Sequence, residues 1–187
     1  MSMFFTIGHS THTLPEFAGL LGESEIEVLV DVRSIPRSRR NPQFNAETFP
    51  QALAAAGIDY RRIAALGGLR SHRRGDPPSP NGYWENASFR NYADYAGTAG
   101  FRAGLEELRA LGRDRRCAIM CAEALWWRCH RRIITDYLIA AGERVIHILS
   151  SGKTEPAEIN PAARPTPEGT LVYPPPDHSP AASRGRG

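Results

Sequence analysis

Met120-Cys121-Ala122-Glu123-Ala124-Leu125-Trp126-Trp127-Arg128-Cys129-His130-Arg131-Arg132 joins two kinds of pattern. Upstream, Cys117-Ala118-Ile119-Met120 is an apolar run of strand length. Downstream, Ile133, Ile134, Tyr137, Leu138 and Ala141 recur at helical spacing. The sequence thus predicts a strand that ends here and a helix that begins near Arg128, with thiol, carboxylate, imidazole and guanidinium groups gathered in the turn between them. Counting about 100° per residue, His130 falls in the middle of the apolar stripe, with Cys129 and Arg131 on its flanks. Arg128 and Arg132 point the other way, where Arg132 can pair with Asp136. Cations in a first helical turn face the positive end of the dipole, and no Ser, Thr, Asp or Asn precedes Arg128 as a cap. A local rule broken in this way points to function, with Glu123 or a bound anion offsetting the charge. A free cysteine alone is commonly a small buried hydrophobe. It is the concentration of these groups at one strand end that argues for a site.

Toward the N-terminus, Phe4-Phe5-Thr6-Ile7 reads as a first strand running into Gly8-His9-Ser10. Thr13 caps a helix over Leu14 to Leu21, with Pro15 and Glu16 in its first turn and Gly22 as its stop. Val28-Leu29-Val30 is a second, continuously apolar strand of the buried parallel kind, and it runs into Asp31-Val32-Arg33. Arg37, Arg39 and Arg40 follow in a loop broken by Pro36 and Pro42. A helix is expected from Asn45 to Ala56, then a peripheral strand over Ile58 to Ile63. Residues 67–88 turn to Gly, Pro, Ser, Arg and His, the composition of a lid or binding loop, in which Tyr83 and Trp84 are placed to close over a site. A mostly helical region runs from Phe89 to Gly112. Arg144 to Leu149 is a strand that closes the core, with His147 a structural residue.

Strands alternating with helices define an α/β class. A single open, mostly parallel sheet with helices on both faces is expected, in Rossmann-like or rhodanese-like layering. Residues 1–150 form one domain, and the Pro/Gly/Ser-rich 151–187 are an extended or disordered tail with one apolar run, Leu171-Val172-Tyr173. In such sheets ligands bind beyond the carboxyl ends of the strands. His9, Asp31 with Arg33, and Cys121 with Glu123 each follow an apolar strand directly, so three segments are expected to deliver them to one edge.

The 187 residues carry a net charge of +3, nearly all the positive charge being arginine, since Lys153 is the only lysine. This suits planar recognition of anions or bases. Three cysteines, an odd number, suggest a reducing cytoplasm rather than a disulfide scaffold. The apolar run Met3 to Ile7 is too short for a signal sequence or membrane span, and no membrane partner is expected.

Thr6-Ile7-Gly8-His9-Ser10, Asp31-Val32-Arg33-Ser34 with Pro36 and Ser38-Arg39, Gly57-Ile58 with Tyr60, Leu66-Gly67-Gly68, Met120-Cys121-Ala122-Glu123 and Cys129-His130-Arg131 together resemble the domain-of-unknown-function 488 family, from the start to about Ala163. The resemblance supports the fold and the site, Tyr60 and Cys129 being among the residues that carry it, but names no reaction. A looser similarity is to rhodanese-type sulfurtransferases, which would make Cys121 a persulfide carrier. Glu123 and the bulky Trp126 and Trp127 depart from that pattern.

The leading expectation is a cysteine-dependent transferase or hydrolase acting on a small anionic or nucleotide-like substrate. Cys121 is its nucleophile, Glu123 or His130 its proton carrier, with Asp31 and His9 at the same edge. Arg33, Arg39, Arg131, Cys129, Tyr60, Trp84 and Trp126 are expected to hold substrate. The alternative is nucleic-acid or nucleobase handling, with arginines on phosphates, Trp84, Trp126 or Trp127 stacked on a base, and Glu123 as base reader. No cofactor is required. A third reading places zinc or iron, or a reversible disulfide, at Cys121, Cys129 and His130.

Overall fold

The computed structural model describes residues 1–176, and the end of the tail, 177–187, lies outside the described residues. Six strands form one sheet: β1 (Met3–Gly8), β2 (Val28–Asp31), β3 (Asp59–Arg62), β4 (Cys117–Cys121), β5 (Arg144–Ser150) and β6 (Lys153–Pro156), in the order β3-β2-β4-β1-β5-β6. The first five run parallel and β6 pairs antiparallel with β5. The chain is α/β with an open, mostly parallel sheet, as its sequence indicates.

Period-two alternation divides the sheet's side chains between two cores. Phe5, Ile7, Leu29, Ala118 and Met120 pack against helices α1 (Leu14–Glu23) and α2 (Phe49–Ala55). Phe4, Val28, Val30, Cys117 and Ile119 face the other way, against α3 (Ala87–Ala96), α4 (Ala99–Asp114) and α5 (Arg131–Ala140). After β1 the chain passes under the first face toward β2, whereas after β4 it passes over the second face toward β5. Because β4 and β1 are neighbours, their carboxyl ends flank the point where the strand order reverses, the place such sheets use for ligands.

Local chemistry sets most of the boundaries. Thr13 caps α1 as a capping box, its hydroxyl accepting from the Glu16 amide and the Glu16 carboxylate accepting from the Thr13 amide. Gly97-Thr98 splits the expected helical region in two, Thr98 capping α4 through the amide of Phe101. The expected helix from Asn45 starts only at Phe49, after a short 3-10 turn over Pro42–Phe44. The helix expected near Arg128 starts at Arg131, because Trp126–Arg128 forms a separate 3-10 turn.

The described part of the tail does not hang free. Leu171 and Tyr173 enter the core beside α5, Tyr173 donates to Asp136 Oδ2 at 2.8 Å, and the Asn160 amide donates to Asp136 Oδ1 at 2.8 Å. A short antiparallel pair, β7 (Arg164–Pro165) with β8 (Leu171–Val172), orients this segment. This accounts for the burial of α5 beyond its sheet-facing stripe, and it corrects the pairing of Arg132 with Asp136. Asp136 is taken by the tail, while the Arg132 guanidinium lies over the Trp84 ring at 4.6 Å. No helix among the described residues is long and apolar enough to cross a membrane.

Candidate active site

Parity along β4 puts Cys121 on the same face as Cys117 and Ile119, toward α5. The loop that follows returns Cys129 and His130 to it at the start of α5. The His130 imidazole is fixed from three sides. Its Nε2–H donates to the Val32 carbonyl at 2.9 Å, Tyr92 packs edge-on at 4.9 Å, and Gly68 lies flat against it. A Cβ on Gly68 would stand 2.5 Å from Nδ1, so only glycine leaves room for the ring. With Nε2–H committed to a carbonyl, Nδ1 faces the sulfurs, 3.6 Å from Cys129 Sγ and 3.9 Å from Cys121 Sγ.

Among the described residues Arg131 is the largest fully buried side chain, 1% exposed. Its Nε and its main-chain N–H both donate to Cys129 Sγ, at 3.4 and 3.5 Å, while Nη2 donates to the main-chain carbonyl of Glu123 and Nη1 lies 3.5 Å from Thr6 Oγ1. The anion that offsets this first-turn cation is therefore sulfur, and the Glu123 carboxylate is not its partner. Burial opposes ionisation of Cys129. Hydrogen bonds from Cys121 and His130 and the charge of Arg131 outweigh it and hold this thiol well below the usual range. Cys121 is pushed the opposite way, first by sharing its proton with Cys129 and then by burial. The two sulfurs titrate as one unit with a single thiolate, resting on Cys129. Cys121 is 9% exposed and Cys129 3%.

Behind Arg131, Thr6 Oγ1 lies 2.7 Å from His147 Nδ1, and the His147 ring stacks on Trp126 at 4.3 Å. Trp126 Nε1–H donates to Glu155 at 2.6 Å. Trp126 therefore has one face and its donor committed to the protein.

The other expected residues meet at the same edge but part there. Backbone bonds join the three segments: His9 N donates to Cys121 O, and Val32 N to Met120 O. The pleat then sends His9 and Asp31 to the α1/α2 face, away from the sulfurs. Asp31 is fully buried, takes the Arg33 Nε and Nη2 donors, and accepts from the Tyr60 hydroxyl at 2.6 Å. His9 stacks on Phe44, donates Nδ1–H to Ser10 O, and receives Arg33 Nη1 at Nε2, 3.3 Å away. Burial pushes His9 down to about 4. The neutral ring and the closed ion pair hold the β1 and β2 ends in place, and Arg33 is turned inward. Trp84 is packed among Tyr83, Phe89 and Tyr173, with no open face for a base. Arg39 and the Glu123 side chain are exposed at the rim.

Residues 69–81 form one wall of a cleft of about 730 Å³ against α3 and Thr170–Val172. Its lining includes neither cysteine of the pair nor His130, so this cleft and the concentrated chemistry are separate.

The family model described as a domain of unknown function, DUF488, matches residues 13–138. The chain belongs to the DUF488 family. The match runs from the cap of α1 into α5 and so takes in Cys121, Cys129, His130 and Arg131 of this DUF488 chain, while Thr6, His9 and His147 stand outside it. No curated protein and no solved structure matches the chain, and the looser likeness to rhodanese-type sulfurtransferases finds no support.

Thr6, Gly68 and the Val32 carbonyl were not singled out as site groups by sequence reasoning. A lone threonine in an apolar strand, at the parity of Cys117 and Cys121 in the neighbouring strand, is a usable signal for the first. The Gly67-Gly68 pair is one for the second.

Proposed function

We propose that this protein is a cysteine-dependent transferase or hydrolase whose reactive unit is Cys129 with His130, supported by Cys121 and Arg131. One observation carries the reading: a sulfur, an imidazole nitrogen 3.6 Å from it, and a carbonyl that fixes the far side of that imidazole at 2.9 Å. Nucleophile, base and orienting group in line are the recurring signature of an activated nucleophile. Arg131 adds two N–H donors to the same sulfur, and they favour the thiolate.

In the reaction the Cys129 thiolate forms the bond to an electrophilic carbon of the substrate. The leaving group departs with the bonding pair and takes the proton held at His130 Nδ1. Water or a second substrate then displaces the sulfur, with His130 receiving the incoming proton. Cys121 shares its S–H with the thiolate and holds the charge in place between turnovers. The exposed Arg39 and Arg40 and the net charge of +3 favour an anionic or nucleotide-like substrate at this edge.

Alkylation tests the reading without knowledge of the substrate. At pH 7 iodoacetamide should modify Cys129 or Cys121 faster than free cysteine, with Cys117 untouched, and Arg131→Met should slow the reaction at least about tenfold. A wild-type rate no faster than free cysteine, or one that Arg131→Met leaves unchanged, contradicts it.

A further inference from the structure

Cys121 Sγ, Cys129 Sγ and His130 Nδ1 all lie within 4.8 Å of one another. Zinc in a tetrahedral site sits about 2.3 Å from sulfur and about 2.0–2.1 Å from imidazole nitrogen, which sets sulfur and nitrogen about 3.6 Å apart and two sulfurs about 3.8 Å apart. The sulfur–nitrogen distances here are 3.6 and 3.9 Å. Only the two sulfurs need to close up, by about 1 Å at most on this geometry. We propose that the pair of thiols and His130 form a binding site for a soft divalent cation, zinc foremost, with the fourth coordination position open.

Three further features fit a metal. The Val32 carbonyl takes the Nε2–H of His130, which leaves Nδ1 as the nitrogen aimed at the sulfurs and makes it a ligand once its proton is given up; metal-bound histidines are oriented in this way by an acceptor behind them. Arg131 donates twice to Cys129 Sγ and so stabilises a metal-bound thiolate as well as a free one. The donor set itself selects the ion, since two thiolates and an imidazole suit zinc and its neighbours and not magnesium or calcium. Two thiolates also neutralise the dication in a nearly buried place. Loading displaces the Cys121 thiol proton and the proton at His130 Nδ1 into solvent.

The fourth position has no protein ligand among the described residues. Cys117 shares the face of Cys121 but stands four residues back along β4, about 13 Å away. No other His, Cys, Asp or Glu among the described residues joins the cluster. Three protein ligands with one open position is the pattern of zinc sites that bind water or substrate, whereas structural sites are closed by four. The site therefore takes a small anion or a water as its fourth partner.

This inference uses the same sulfurs as the thiol reading, and the two forms exclude each other at any moment, because the ion draws charge from the thiolates, which weakens them as nucleophiles, and takes the His130 nitrogen that would carry the proton. The full chain, stripped with chelator and kept reduced, is titrated with zinc alone and with cobalt(II) alone. One equivalent is expected, and cobalt should give thiolate-to-metal charge-transfer absorption with the visible bands of a tetrahedral centre. Cys117→Ala should bind as wild type does. Cys121→Ser and Cys129→Ser should each lose charge-transfer intensity, and His130→Ala should weaken binding at least about tenfold. If a variant fails to fold, the wild type still decides: bound zinc must protect Cys121 and Cys129 from iodoacetamide while urea-unfolded protein is alkylated freely. No cobalt spectrum, or equal binding by the Cys121→Ser/Cys129→Ser double variant, overturns the site. Fast alkylation without metal binding leaves the thiol reading standing and removes this one. Metal binding by thiols that react only like free cysteine does the reverse.

Discussion

Acidifying this protein from pH 7 toward pH 4.5 should cost it about 3 kcal/mol of stability, and two buried imidazoles set the sign. His9 and His147 are each 1% exposed. Burial holds His9 neutral with its pKa lowered to about 4; burial, then the nearby Arg131 charge, does the same to His147. In the unfolded chain both titrate near the ordinary value of about 6.5. Between those values the unfolded state binds protons that the folded state refuses. The stability from each ring is thus complete above about pH 6.5 and is lost as pH falls toward 4. At about 1.4 kcal/mol per unit, each ring loses nearly 3 kcal/mol by pH 4.5, and the pair loses between 5 and 6, roughly.

Asp136 works in the opposite direction. Burial raises its pKa to about 6, so the folded state keeps a proton that the unfolded carboxylate gives up above about 3.8. Its contribution is present at low pH and lost as pH rises through 6. On acidification to pH 4.5 it returns about 2 kcal/mol, which leaves the net loss near 3. Urea unfolding followed by far-ultraviolet circular dichroism at pH 7, 5.5 and 4.5 reads the difference. Asp136→Asn should steepen the fall, and His147→Gln should flatten it. Stability constant to within about 1 kcal/mol across this range, or rising toward acid, refutes the reasoning.

Other expectations concern close packing and the tail. Gly8→Ala would set a Cβ 1.9 Å from the Glu123 carbonyl oxygen, backbone against backbone. The β4–α5 loop must then move, and a loss of more than about 2 kcal/mol is expected in thermal unfolding, together with lost thiol reactivity. Gly68→Ala instead meets the rim of the His130 ring. The fold should survive with a smaller loss while iodoacetamide reactivity falls to that of an ordinary thiol, so retained reactivity would deny His130 its role. Tyr173→Phe removes the hydroxyl that donates to Asp136 and should cost about 1–3 kcal/mol, seen as faster hydrogen exchange in residues 157–173 ahead of the rest of the chain.

The sequence is informative wherever one local pattern decides the outcome. Apolar runs ending in Gly8-His9, Asp31-Val32-Arg33 and Met120-Cys121 are the carboxyl ends of β1, β2 and β4, and all three lie on one edge. Which face each side chain takes is another matter. Cys121 shares a face with Ile119, but Asp31 falls on the face of Leu29, opposite to Val30. Pleat parity thus separates an acid and a sulfur whose backbones are neighbours, and a reading that stops at strand ends merges them into one site. The tryptophans show the limits of composition. Trp84 lies in a polar, glycine-rich stretch that suggests a lid, yet its ring fills a gap between α3 and the tail that only the assembled fold creates. The tail's docking was foreshadowed by Leu171-Val172-Tyr173 alone, and what those residues would pack against depended on α5. Charge placement was similarly non-local. Cys129 and Cys121 are alike in sequence, and only the positions of Arg131 and His130 decide which carries the thiolate.

The pH dependence of thiol alkylation tests that decision most directly, because it separates ionisation from access. A cysteine of ordinary pKa loses reactivity about tenfold for each pH unit below about 8, however open its surroundings. If Cys129 is held as a thiolate by Arg131 and His130, the iodoacetamide rate at the Cys121/Cys129 pair should stay level from pH 8 down to pH 6, with Cys117 unmodified throughout. A rate at that pair that falls about a hundredfold over the same two units would show an ordinary thiol and contradict the account.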